Sequence, residues 1–182
     1  MMKRLYLILM LTGLLFLQGS ASVIDLSKNA VLHNQRGVVN LQDGYYFEAV
    51  QEFKIAIALK PDAAVTATFY SNLGLAYLKI NKYKWAIDCF EKALAINPNF
   101  LEYYLNLVQA HKSNGSLDNL LNQYKKEIAA NSDNSNAILM CGLIMKERGQ
   151  YSQAKKYLDK YRMLESDVIL SNAVKRVIDD MK

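Results

Sequence analysis

The sequence predicts an all-α protein built from stacked pairs of helices, and three observations carry this prediction. Glycine and proline number only eight and two among 182 residues, too few turn residues for a sandwich or barrel of many short strands. Apolar residues recur at spacings of three and four, as they do on one face of a helix. One set of residue types also returns every 34 residues, a period typical of helical arrays.

The first 21 residues are predicted to be a secretory signal peptide, and a short linker is predicted over 22–29. Lys3 and Arg4 precede an uncharged apolar run over 5–17, and small polar residues lead to a cleavage site after Ala21. As a helix the run would span about 20 Å, short of the roughly 30 Å hydrocarbon core. We therefore expect an exported protein, periplasmic or extracellular, that contacts a membrane only through this segment before cleavage. Retention of the segment as a membrane anchor is the alternative.

The repeat is clearest over 67–100, where it reads Tyr70-x2-Leu73-Gly74-x2-Tyr77, then Ala86-x3-Phe90-x2-Ala93, then Pro98. Gly74 and Ala86 are small where two helices would cross, so the backbones can approach. Asn81 tolerates the left-handed conformation that the turn between them needs, and Pro98 ends the second helix. This pattern resembles the tetratricopeptide repeat (TPR), and the resemblance implies a right-handed α-solenoid.

Similar units flank this one, so the TPR domain is predicted over 30–182, with about four helix pairs and a last helix. The first unit is three residues longer than the 34-residue period, and the extra residues are placed within 62–66. The units are predicted over 30–66, 67–100, 101–134 and 135–166, with a capping helix over 167–181. In the third unit, Val108 and Leu120 stand where small residues are usual, so we expect its helix pair to splay. Asp167 is expected to cap the last helix, whose amphipathic pattern suits the end of an open stack.

Neither the charge nor the motifs of the chain indicate catalysis, a cofactor or a nucleic acid. Removing Lys3 and Arg4 lowers the net charge from +5 to +3, and no basic face interleaves with aromatic residues. Neither His33 nor His111 lies at metal-ligand spacing from another ligand; we expect His111 to be a packing residue and His33 a more exposed residue with no special role. No nucleophile motif or phosphate loop is present. We therefore expect no enzymatic activity, no cofactor, no metal and no small-molecule substrate.

The two cysteines, Cys89 and Cys141, are expected to be free and mostly buried, even in an oxidising compartment. They are 52 residues apart, and the repeat places three helix-to-helix steps of about 8–10 Å between them. A disulfide needs Cα atoms within about 7 Å.

The resemblance implies that the first helix of each unit lines a concave groove that holds an extended peptide or a helix of a partner protein. Asparagine and glutamine on this face can donate to and accept from a peptide backbone, while leucines offer apolar pockets. The predicted groove residues are Asn34, Val38 and Leu41 from the first unit, Ser71, Asn72, Leu75, Leu78 and Lys79 from the second, Leu105, Asn106, Gln109 and Lys112 from the third, and Leu139, Met140, Leu143 and Lys146 from the fourth. The alternative for any of the leucines is packing against a neighbouring second helix or the terminal helix.

Chaperone adaptors of the family hold a C-terminal carboxylate in this groove with Lys, Asn and Arg. The corresponding positions here are Asn34, Val38, Asn72, Glu102 and Asn106. Only Asn72 fits, and Glu102 would repel a carboxylate, so we expect no such clamp. Two functions remain: an exported scaffold that binds a partner segment in the groove, or a structural subunit of an envelope, pilus or secretion assembly that docks through convex surfaces and its last helix.

Overall fold

The computed structural model describes residues 26–59 and 62–181, and within these ranges it contains nine α-helices and no strand. The predicted signal peptide, 1–21, and residues 22–25 of the predicted linker lie outside the described residues. In chain order the helices are α1 (26–42), α2 (Tyr46–Ala58), α3 (Ala63–Lys79), α4 (Tyr83–Ile96), α5 (Leu101–Ser113), α6 (Leu117–Ala130), α7 (Ser135–Glu147), α8 (Tyr151–Leu164) and α9 (Val168–Asp179). Consecutive helices pack into a single stack of pairs, which confirms the predicted all-α fold.

Two helices begin earlier than the repeat pattern predicts. Residues 26–29, placed in the linker by the sequence, already belong to α1. The residues inserted before 67 form the first turn of α3, which starts at Ala63. The Asp62 side chain accepts a hydrogen bond from the Val65 backbone N–H at 3.1 Å and so caps this helix.

The first, second and fourth pairs pack tightly because glycine stands at each helix crossing. A Cβ atom on Gly74 would lie 2.7 Å from the Phe90 ring, and one on Gly142 would lie 2.5 Å from the Leu158 side chain. Between α1 and α2, a Cβ atom on Gly37 would likewise lie 2.6 Å from the Phe53 ring. The turns follow the prediction as well, since Asn81 has a φ of 59°.

The third pair is splayed, as the sequence predicts. Helices α5 and α6 approach each other over a much shorter stretch than α3 and α4 or α7 and α8 do. Val108 takes the place of the crossing glycine and Leu120 that of the crossing alanine, and both side chains are buried. Their volume keeps the two backbones apart because a close crossing has no room for a branched side chain. Helix α6 packs instead against α7.

The last helix, α9, is part of the core. The Asp167 side chain accepts a hydrogen bond from the Leu170 backbone N–H at 2.9 Å, which confirms the predicted cap. Leu170, Val174 and Met181 are buried in the same apolar cluster as α7, and α9 contacts both α8 and α5. Within residues 26–59 and 62–181, none of the helices has the length and apolar character needed to cross a membrane.

Both thiols are free and buried, which confirms the prediction for Cys89 and Cys141. Burial raises the pKa of Cys89 to about 12 and that of Cys141 to about 11.

Because the thiolate is the reactive form, we expect Ellman's reagent at pH 8 to modify the folded protein at least about 100-fold more slowly than the urea-unfolded protein. Prompt release of one thiol equivalent from the folded protein would contradict this assignment, and glutathione under the same conditions provides the control rate.

Candidate functional site

The predicted groove begins with an amide bridge between the first helices of two pairs. The Asn72 Nδ2 donates to the Asn34 Oδ1 at 2.9 Å, which joins α3 to α1. The bridge leaves the Asn34 Nδ2 as a donor and the Asn72 Oδ1 as an acceptor, and neither has a partner within the described ranges. One free donor beside one free acceptor is what a peptide group needs.

A third amide continues this row on α5. Asn106 lies one 34-residue period after Asn72, and α5 lies against α3. Its Nδ2 is buried and makes no hydrogen bond in the described part of the chain. A buried donor without an acceptor costs about 1–3 kcal/mol, so rotation of this side chain towards a ligand carbonyl in the groove would relieve that cost.

Apolar side chains flank the amides and are half-buried. They pack against the main core and keep part of their surface in solvent. These residues are Val38, Leu41, Leu75, Leu78 and Leu105. The open groove therefore consists of these five with the amides Asn34, Asn72, Asn106 and Gln109 and the cations Lys79 and Lys112, all carried by α1, α3 and α5.

The groove prediction is wrong for the fourth unit. Leu139 and Leu143 are each 1% exposed and Met140 is fully buried, and these side chains share one buried cluster with Val174 of α9. Ser71 on α3 is also buried. The alternative, packing within the core, is correct for these leucines, because α7 is apolar around its whole circumference and lies among α5, α6, α8 and the cluster to which α9 contributes. The groove is thus closed along α7.

The three predicted groove lysines also differ in whether they are available to a ligand. Lys79 is exposed and makes no ion pair within the described ranges, so it remains available to an acidic group of a ligand. The Lys112 Nζ lies 2.6 Å from the Glu147 Oε1 and ties α5 to α7. Lys146 is half-buried on α7, beyond the open groove.

The two histidines are packing residues that join neighbouring elements. The His33 Nδ1 lies 2.6 Å from the Glu52 Oε2, and the histidine side chain is 25% exposed. The His111 Nδ1 lies 2.9 Å from the Ser116 Oγ, and burial lowers the pKa of this imidazole. The sequence pattern gave no signal for the His33 pair because its partner stands on another helix, 19 residues away. In the part of the chain that is described, three or more His, Cys, Asp or Glu side chains are nowhere grouped so as to hold a metal ion.

The helix pairs, the crossing glycines and the amide-lined face define an all-α TPR fold. Residues 67–100 match the family model of the tetratricopeptide repeat. The crystal structure of MamA is similar with a TM-score of 0.50 at 25% identity, covering 79% of this chain and 83% of that one. A tetratricopeptide repeat protein from Parabacteroides merdae gives a TM-score of 0.52 at 17% identity, covering 85% and 60% of the two chains. The rat mitochondrial import receptor subunit TOM70 is 24% identical over 176 residues, which are 90% of this chain and 28% of TOM70.

Proposed function

We propose that this protein is an exported, non-enzymatic interaction scaffold that binds an extended segment of a partner protein in the open groove. The observation that carries the proposal is the Asn34–Asn72 bridge, which presents a free donor and a free acceptor between half-buried apolar side chains. The TPR fold supports a protein partner, and one relative is by name a receptor subunit. Export rests on the charge and apolar pattern of residues 1–21, and N-terminal sequencing of the mature chain tests it.

The length of the bound segment follows from the closure of the groove at α7. The open groove crosses only α1, α3 and α5. Neighbouring helices lie about 8–10 Å apart, so the open part is about 20 Å across. An extended chain rises about 3.3 Å per residue, which gives a segment of about six residues. Its backbone would meet the amide row, and alternate side chains would enter the apolar positions beside Leu75 and Leu105.

A triple substitution in the groove tests this proposal. We expect Asn72→Ala/Leu75→Asp/Asn106→Ala to reduce partner capture by about tenfold or more, because it removes the backbone contacts and places a charge in the apolar pocket. The measurement is crosslinking in living cells from a photoreactive residue at Leu78, followed by mass spectrometry of the captured protein.

The matched control makes the same kinds of substitution on exposed positions of the second helices α2 and α6. It is Asn119→Ala/Ile55→Asp/Asn122→Ala, and it should capture the partner as the unmodified protein does. Circular dichroism confirms that both variants are folded. Equal capture by the groove variant and the control would refute the groove assignment.

A second candidate function is supported by the apolar residues exposed at the α8–α9 corner, which comprises Met163, Leu164, Val168 and Ile169. Met163 is 84% exposed and Ile169 is 79% exposed, and clustered apolar side chains of this kind are typical of interaction sites. A structural subunit of an envelope, pilus or secretion assembly would dock here.

If the corner docks into an assembly, Met163→Asp/Ile169→Asp should abolish assembly while leaving the fold intact, and the groove variant should be silent. Native gel electrophoresis of envelope extracts measures the assembly. The matched control, Leu32→Asp/Phe47→Asp, places the same charges on exposed apolar residues near the other end of the chain. A corner variant that assembles normally would exclude this second function.

A further inference from the structure

A crevice lies between α4, α5 and α6, beside the splayed third pair. Its volume is about 370 Å³, and its walls include Glu91 and Leu94 of α4, Tyr104 and Leu107 of α5, and Tyr124 of α6. The crevice is separate from the open groove because α5 presents Leu105 and Gln109 to the groove but Tyr104 and Leu107 to the crevice.

Two tyrosine hydroxyls in this crevice have no hydrogen-bond partner in the described part of the chain. Tyr104 is 94% buried, since its exposed fraction is 6%, and Tyr124 is half-buried. Neither hydroxyl makes a hydrogen bond to another of the described residues. A phenol oxygen in such a position keeps contact with solvent and can accept a hydrogen bond from a ligand that enters the crevice.

Carboxylates act on both tyrosine hydroxyls of the crevice. Burial raises the pKa of Tyr124 to about 12, and Glu127 and Glu91 add to this effect. Burial likewise raises the pKa of Tyr104 to about 12, with a further contribution from Glu165. The carboxylates that act on these hydroxyls are those of Glu127, Glu91 and Glu165, and both phenols stay neutral at physiological pH. An electropositive ligand group is favoured in such surroundings.

We propose that this crevice is a second binding site that takes a primary ammonium group on an alkyl chain. The alkyl chain would lie along Leu94 and Leu107, and the ammonium would reach the Glu91 carboxylate and the two tyrosine oxygens. An ammonium has three donors, which these three acceptors match. A guanidinium has five donors in a fixed plane, so it would leave donors unsatisfied here. The volume is at the lower end of the range for ligand sites, about 300–1,000 Å³, and suits a single side chain.

The test is an NMR titration of the intact protein with n-butylammonium, n-butylguanidinium and n-butanol. We expect saturable shifts at Tyr104, Leu107 and Tyr124 with n-butylammonium, and binding that is weaker by about fivefold or more with each of the other two probes. Glu91→Gln should weaken n-butylammonium binding by a similar factor, because it removes the carboxylate of an exposed residue that makes no ion pair within the described ranges. The control Glu48→Gln makes the same change on α2, far from the crevice along the chain, and should bind normally.

A lysine side chain of a partner and a free alkylamine share this chemistry, and a further titration distinguishes them. A capped pentapeptide with one central lysine and four alanines should bind at least as tightly as n-butylammonium if the source is a partner protein. Binding of n-butylammonium with exclusion of the peptide would assign the site to a free amine. The proposal is overturned if n-butanol binds as tightly as n-butylammonium, if Glu91→Gln binds like the unmodified protein, or if no probe gives saturable shifts.

Discussion

Val174→Asp should lower the free energy of unfolding by about 4 kcal/mol or more, the largest effect that we expect from a single substitution. Val174 is fully buried in the cluster that α9 shares with α7. The substitution removes the apolar contacts of a core side chain and places a carboxylate where it has no partner. Urea unfolding followed by far-UV circular dichroism measures the loss, and hydrogen exchange of the α9 amides shows whether this helix detaches first.

The matched control is Val168→Asp on the same helix. Val168 is 70% exposed, so the same change there should alter stability by no more than about 0.5 kcal/mol. Similar losses in the two variants would mean that α9 does not belong to the core. The comparison also bears on the second candidate function, since deletion of α9 would unfold the protein as well as remove a docking surface.

Gly74→Val should lower the free energy of unfolding by about 2–3 kcal/mol, the second large effect. The first carbon of the new side chain would already lie 2.7 Å from the Phe90 ring, and the two methyl groups need more room still. Helices α3 and α4 would have to separate, as α5 and α6 do around Val108. Trp85 reports on this pair because its ring meets that of Tyr77 edge-on at 5.2 Å, so urea unfolding is followed by tryptophan fluorescence.

Ala64→Val provides the control for the helix preference of valine. Ala64 is an exposed residue of α3, so valine there loses only helix propensity, about 0.5 kcal/mol. If Gly74→Val were no worse than this control, the crossing would have room to spare, and the explanation of the splayed third pair by Val108 would fail with it.

The sequence by itself determined the stack of helix pairs and the one irregular pair, because both depend on local spacing. Gly74 and Val108 occupy the same position of a 34-residue period, and the volume at that position decides how closely two helices cross. The Asp167 cap is equally local, since the carboxylate and the backbone N–H that it accepts from are three residues apart. Short-range features of this kind can be inferred before any helix is placed.

Only the tertiary structure decided which apolar faces stay open. Helical spacing marks Leu75 and Leu143 alike as members of an apolar stripe, yet Leu75 lines the groove and Leu143 lies within the core. The difference comes from distant segments, because α7 is enclosed on all sides and the cluster that encloses it includes α9 from the end of the chain. The Asn34–Asn72 bridge and the crevice beside Tyr104 likewise join residues from separate helices. Whether an apolar helix face is buried depends on which other segments pack over it, and the repeating pattern of the sequence describes only the face itself.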